Sequence, residues 1–321
     1  MILVTGASGF LGAELVLQLL QAENKVRCIK RATSKIPPKL EAYQHKIEWL
    51  NADVLELSAL EDAFEGIHKV YHCAAQVSLN PKDKVKMIRT NTQGTANVVN
   101  LSIEKGIEKL IHVSSIVALG KSKDGEPITE ENYWDAFDIN HGYSISKYQS
   151  EMEVWRGMEE GLNAVIVNPS VIIGADAGQE GTRSIFSTVK NGLKYYTGGG
   201  TGFVDVYDVA RCMIFLGNSD IKNERFIINT ENLSYKNLFE TIAAAFKIAP
   251  PSKLAKPWML EIAWRLSELK SFLTGSKSSI TKDMVQMGSH LDIYSAQKIK
   301  GVVDFEFRPI AQSIKQITET F

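Results

Sequence analysis

An apolar strand, a glycine turn and an amphipathic helix follow one another within the first twenty residues, and that succession restricts the chain to few folds. Ile2, Leu3 and Val4 read as a short buried strand, and Thr5 to Gly9 as a tight turn. From Phe10 a helix begins, with Leu11, Leu15 and Leu19 four apart on one face. Gly6 supplies a backbone conformation closed to other residues. Gly9 lets the main chain approach a pyrophosphate, and Gly12 lets helix and strand pack closely. The N–H groups of a first helical turn lack helical partners, and the helix end carries roughly half a positive charge. An anion therefore belongs beside Gly6, Ser8, Gly9, Phe10, Leu11 and Gly12. The glycine spacing alone is a weak signal. The strand before it and the helix after it make it a dinucleotide site.

The chain has 321 residues, enough for one large or two smaller domains. Its net charge of −1 gives no general drive toward nucleic acid or an anionic membrane. Cys28, Cys73 and Cys212 form neither a close pair nor a zinc spacing, which fits buried thiols in a reducing compartment. No leader precedes the first strand and no apolar run reaches membrane-spanning length, so a cytoplasmic protein is expected.

Residues 25–29 read as the second strand, ending at Lys30 and Arg31, eighteen and nineteen residues beyond Gly12. In a doubly wound sheet that position meets the adenosine ribose. A carboxylate there selects NAD, and a cation pairs with the 2′-phosphate of NADP. Lys30 and Arg31 stand there with Lys35 nearby, so NADP is the expected cofactor and NAD the alternative. On local grounds the same residues also read as a solvated basic loop.

Residues 47–51 form the third strand, and Asp53 and Val54 follow. The Asp53 carboxylate is placed either to accept from the adenine amino group or to cap the helix expected over 57–64. The fourth strand, 70–73, runs into Ala74 and Ala75, small enough for a cofactor to approach. Gln76, Val77, Ser78 and Leu79 lie next, where a substrate could be touched. A long helix over 88–104 precedes a fifth strand, 110–113, which ends in Ser114 and Ser115. The sixth, 165–167, ends in Asn168 and Pro169, and 225–228 is the seventh. Alternating strands and helices indicate a parallel, doubly wound α/β sheet. Ligands bind beyond the carboxyl ends of such strands. Gly9, Arg31, Asp53, Ala75, Ser115 and Pro169 all follow strand ends and converge on one rim.

Tyr143 and Lys147 stand at i and i+4 on one helical face, after the loop over 126–140. A nearby cation favours a phenolate and lowers a phenol, ordinarily near pKa 10, by roughly 1–3 pH units. Tyr143 is thus a candidate acid or base toward a carbonyl or alcohol. Lys147 is a candidate to hold a nicotinamide ribose, and Ser115 to donate to the reacting oxygen. A lone Y-x-x-x-K is common by chance; its weight here comes from following a glycine turn and a strand-end serine in order.

These residues carry a family likeness. The chain resembles the extended short-chain dehydrogenases/reductases, the NAD-dependent epimerase/dehydratase superfamily, along nearly its whole length. The matching stretches are Thr5 to Gly12, Asp53-Val54, His72 to Ala75, Asn91 to Thr95, Val113 to Ser115, Tyr143 to Lys147, Asn168-Pro169 with Gly174, Phe203 to Ala210, and Tyr294 to Lys298 with Gly301, Phe305 and Pro309. The resemblance implies a Rossmann domain over 1–169 plus about 203–230. It implies a smaller, discontinuous, mainly C-terminal substrate region over about 170–202 plus 231–321. It implies Ser115, Tyr143 and Lys147 as catalytic residues, with Ser114 the alternative if the serine register slips. The implied cofactor residues are Gly6, Ser8, Gly9, Phe10, Leu11, Gly12, Arg31, Asp53, Val54, Ala74, Ala75, Tyr143, Lys147 and Pro169. Asn91 either supports the lysine through water or packs a helix.

Dehydratases of this superfamily usually place an acidic pair after the active-site serine or threonine, where this chain has Ile116 and Val117. The frequent Tyr-Gly after the serine strand is Leu119-Gly120, and the acidic residue usual in NAD-retaining epimerases is replaced by Arg31. The pattern is closest to the dihydroflavonol-reductase, cinnamoyl-CoA-reductase and 3β-hydroxysteroid-dehydrogenase-like group. That group implies hydride transfer between NADP(H) and a ketone, an aldehyde or the corresponding alcohol. A nucleotide-sugar epimerase or dehydratase and a non-catalytic nucleotide sensor are the competing readings.

On the substrate side, 198–202 reads as a flexible glycine loop covering the site. Arg183 is either an anion ligand or a surface arginine. Trp258, Ile262, Leu266, Leu269 and Leu273 form an apolar stripe at helical spacing, for which core packing is the favoured account and a lid or membrane contact the alternative. Asp205 and Asp208 match a structural segment, and no metal is expected. A small-molecule substrate is expected, with no nucleic-acid partner and no membrane. A homodimer is possible through the helix over 88–104 and the helix holding Ser146.

Overall fold

The computed structural model describes residues 1–78, 80–122, 125–134, 142–177, 181–274 and 281–321. The first half alternates β1 (Ile2–Thr5), α1 (Phe10–Gln21), β2 (Val26–Lys30), α2 (Pro38–Glu41), β3 (Ile47–Asn51), α3 (Leu57–Phe64), β4 (Lys69–His72), α4 (Lys84–Glu104), β5 (Lys109–Val113), α5 (Gly142–Glu159) and β6 (Ala164–Pro169). Then follow β7 (Val171–Ile173), α6 (Arg183–Lys190), β8 (Tyr195–Tyr196), β9 (Gly200–Asp205), α7 (Val206–Asn218), β10 (Glu224–Ile228) and β11 (Glu231–Ser234). The chain ends with α8 (Tyr235–Phe246), β12 (Lys253–Leu254), α9 (Pro257–Thr274), α10 (Lys282–Met287), α11 (Gln297–Lys300) and α12 (Ile310–Thr318).

Seven strands form one parallel sheet in the order β3-β2-β1-β4-β5-β6-β10. This is a Rossmann-like, doubly wound sheet. All seven expected strands lie within it. Pleating sends neighbouring side chains to opposite faces. Val4 therefore joins Leu15, Leu19, Val209, Met213 and Leu216 on the face covered by α1 and α7. Its neighbour Leu3 joins Leu60, Phe64, Val98, Val99 and Met158 on the face covered by α3, α4 and α5. Strands buried on both faces read as near-continuous apolar runs, which is why β1 and β6 are legible. Burying each Leu15- or Phe64-sized side chain contributes about 1.5–3 kcal/mol.

A second sheet, β11-β9-β7, lies beyond the main one, with β9 antiparallel to β11 and parallel to β7. It corrects the reading of 198–202 as a flexible loop. Gly200 and Gly202 are paired strand residues, in register with Ser234 and Asn232. A Cβ on Gly199 would sit 2.4 Å from the Gly288 carbonyl oxygen, one on Gly200 2.4 Å from the Leu233 oxygen, and one on Gly202 2.4 Å from Asn229 Oδ1. These glycines allow close backbone approach; they do not supply mobility.

The stripe on α9 is a second correction. Trp258, Ile262, Leu266 and Leu269 are 61%, 50%, 61% and 54% exposed, so they form no core; the Leu273 side chain lies outside the described residues. No helix among the described residues is long and apolar enough to cross a membrane.

Candidate active site

The turn after β1 is shaped by two contacts. Gly6 has φ +68°, and a Cβ there would lie 2.6 Å from the Ala74 nitrogen. A Cβ on Gly12 would lie 2.2 Å from the Gly6 carbonyl oxygen, so α1 rests on the turn itself. Gly9 is the N-cap of α1, and no side chain caps it. The start of α1 thus faces a cleft of about 1030 Å³. Gly6, Ser8, Gly9, Phe10, Arg31, Asp53, Val54, Ala74 and Ala75 all line this cleft. The Leu11 side chain instead enters the core. Gly12 packs behind the turn, and Pro169 ends β6 in a fully buried strand.

The cleft's far rim carries Lys30, Arg31, Ser34 and Lys35. Lys30 reaches Asn51 Oδ1 at 3.2 Å. Asp53 accepts from the Leu55 N–H at 3.0 Å, which fixes the turn after β3. The cradle and the cationic rim fit a dinucleotide whose phosphates sit at the start of α1. Lys39 was not anticipated. It spans from Glu14 Oε2 at 2.7 Å to Asp176 Oδ2 at 2.8 Å, and both Lys39 and Asp176 line the cleft. Its partners come from distant segments, so no local pattern could have revealed it.

Ser115, Tyr143 and Lys147 are brought together where β5 meets α5. The Ser115 hydroxyl faces the Tyr143 phenol, whereas Ser114 faces Glu151. Lys147 is buried, and its Nζ donates to the Val113 carbonyl oxygen at 2.9 Å. Desolvation brings its pKa down to about 8, against the pull of Cys73 and Glu151. Tyr143 behaves contrary to the sequence argument. Burial pushes the phenol above its ordinary value, and Ser115 offsets this only in part. Helical spacing carries no information about desolvation, which disfavours the charged phenolate.

Asn91 braces this corner directly. Its Oδ1 accepts from the Gln76 N–H at 2.7 Å, and its Nδ2 donates to the Gln76 carbonyl at 2.9 Å and to Ser146 Oγ at 3.1 Å. Gln76 lines the cleft, and Leu79 lies outside the described residues, as do 135–141 of the loop before Tyr143. Arg183 also lines the cleft, but its guanidinium is held by the Ala175 and Thr320 carbonyls and covers the Phe321 ring. Asp205 caps α7 and pairs with Arg308, whose backbone N–H Asp208 accepts. Ile116, which follows Ser115, is buried in a small apolar cluster with Leu119, Ile128, Ile227 and Tyr294.

The family model for the NAD dependent epimerase/dehydratase family matches residues 2–229. The chain belongs to that family. It is an NAD(P)-dependent reductase or dehydrogenase of the extended short-chain type. A putative dihydroflavonol 4-reductase of Synechocystis sp. is 30% identical over 302 residues, covering 92% of this chain and 87% of the relative. Cinnamoyl-CoA reductase 1 of Petunia hybrida is 28% identical, covering 78% of this chain and 79% of its own. The crystal structure of gox2253 superposes with a TM-score of 0.86 at 28% identity, covering 100% of this chain and 97% of that one.

Proposed function

We propose that this family member is an NADP(H)-dependent reductase of ketones or aldehydes. The observation that carries the reading is Ser115 facing a Tyr143 whose phenol is pushed up by burial. A phenol above its ordinary value is protonated at neutral pH, which suits an acid delivering a proton to a carbonyl oxygen as it becomes an alcohol. Ser115 donates to the same oxygen and stabilises the charge that builds there. The Lys147 ammonium holds the nicotinamide ribose. The bound nicotinamide supplies the hydride. Arg31, with Ser34 and Lys35, takes the 2′-phosphate.

The buried Ile116 weighs against water elimination, which needs an acid beside the leaving hydroxyl. We assign residues 170–202 and 231–321 to substrate binding, and α4 with α5 to a homodimer contact. The setting proposed is the cytoplasm.

The test is titration with NADPH and NADH, followed by a carbonyl screen on the wild type and Tyr143→Phe. NADPH preference, with turnover lost in the variant and binding kept, supports the reading. NAD already bound on purification, with activity on nucleotide sugars and no net cofactor use, replaces it with an epimerase.

A further inference from the structure

Glu151 lies four residues beyond Lys147 on α5, two helical turns from Tyr143, and is wholly buried. Two side chains from two neighbouring strands hydrogen-bond to it. Asn168, on β6, donates its Nδ2 to Oε1, and Arg225, on β10, brings Nη1 to 3.4 Å from Oε2. Ser114, just past β5, faces it as well. Burial pushes the Glu151 carboxyl above its ordinary value, and these donors with the Arg225 charge oppose that by favouring the ionised form. Arg225 is anchored in turn, its Nε on the Glu130 carbonyl at 2.7 Å and its Nη2 on the Asn132 carbonyl at 3.2 Å.

The other groups facing Lys147 supply no negative charge. From β4 and its end come His72, brought down to about 3 by burial, and the Cys73 thiol, pushed up to about 12 by burial. From β5 come His112, also driven down by burial, and the Val113 carbonyl. Tyr143, on the same helix, is a neutral phenol. Among the described residues around Lys147, Glu151 is the one anion.

We propose that Glu151 is a positioning residue for Lys147, locking α5 onto β6 and β10 and keeping the buried ammonium charged. The proposal rests on Lys147 as the cation that holds the cofactor. Without Glu151 only Cys73, a thiol pushed up to about 12, would oppose the desolvation of Lys147, and the ammonium proton would leave at lower pH.

The experiment follows NADPH binding by reduced-nicotinamide fluorescence from about pH 7 to 10. It compares the wild type with Glu151→Gln, Glu151→Asp and Lys147→Met. Binding by the wild type is expected to weaken as pH rises through about 8, where Lys147 loses its proton. In Glu151→Gln the weakening should begin about one pH unit lower, a tenfold change in the proton equilibrium. Glu151→Asp should keep the wild-type midpoint. Equal midpoints for wild type and Glu151→Gln, with the limb gone in Lys147→Met, overturn the Glu151 proposal and leave the Lys147 reading standing. A limb that persists unchanged in Lys147→Met overturns that reading, and the proposal with it. If Glu151→Gln does not fold, Glu151→Asn removes the same charge and leaves Arg225 in place; the same downward shift is required of it.

Discussion

The Thr5 hydroxyl and the His72 imidazole meet 2.7 Å apart beneath the nucleotide turn. Thr5 Oγ1 also accepts from the Ala74 N–H at 3.2 Å, while His72 Nε2 lies 3.1 Å from Thr95 Oγ1. With Oγ1 already accepting, its proton goes to Nδ1, and the neutral imidazole donates from Nε2 to Thr95. β1, the end of β4 and α4 are thereby tied together by neutral hydrogen bonds. Thr5→Val preserves shape but leaves Ala74 N–H and His72 Nδ1 unpaired, and should cost about 1–3 kcal/mol. The check is a lower urea midpoint with an unchanged slope; Thr5→Ser should retain most of the stability.

The buried histidines make stability fall in acid. The folded-state pKa of His72 lies near 3, against 6.5 when unfolded, and that of His112 is lowered in the same direction. Above the unfolded value neither state holds the proton, and the full stability is present. Below it the unfolded chain binds protons that the native chain refuses. Each histidine then removes about 1.4 kcal/mol per pH unit as the pH falls toward its folded pKa. Among the described residues, both ring nitrogens of His112 are buried without a partner. His112→Leu should therefore change stability little at neutral pH and flatten the acid slope. Urea unfolding at neutral and mildly acidic pH measures both.

Arg31→Asp should reverse the cofactor preference. An acidic side chain at the end of β2 repels a 2′-phosphate and accepts from a ribose hydroxyl. The ratio of NADPH to NADH affinity should fall by about tenfold or more, roughly 1.4 kcal/mol. An unchanged ratio would remove Arg31 from the phosphate site.

Exposure on α9 predicts tolerance. Trp258→Ala and Leu266→Ala should each change unfolding free energy by about 0.5 kcal/mol or less. Leu15→Ala, in the fully buried core, should cost about 2–5 kcal/mol. Chemical denaturation of the three variants compares them directly, and a large loss at Trp258 would restore the core reading.

The parallel sheet was legible because its evidence is local. β1 and β6 open as apolar runs, and the turn glycines, Arg31, Asp53 and Ser115 follow strand ends at readable positions. The glycines of 198–202 misled because glycine marks both mobile loops and tight backbone packing. Only the Gly288 and Leu233 carbonyls and the Asn229 side chain, from other parts of the chain, show that packing is the reason. The α9 stripe misled similarly, since helical periodicity says which residues share a face and nothing of what covers it. Glu151 offered a visible i+4 spacing from Lys147, but its partners Asn168 and Arg225 sit on strands that only folding brings near.

By itself the sequence determined the order of strands and helices, the glycine turn at Gly6–Gly12, the cationic end of β2 and the i, i+4 spacing of Tyr143 and Lys147. Periodicity, turn chemistry and residue spacing are properties of neighbours along the chain. Tertiary structure decided that Ser115 rather than Ser114 meets Tyr143, that Lys39 bridges to Asp176, and that Arg183 is held by the C-terminal segment. It also decided the charge states of Tyr143, His72, His112 and Lys147. Those depend on desolvation and on partners tens of residues away, and both come into existence only when the chain packs.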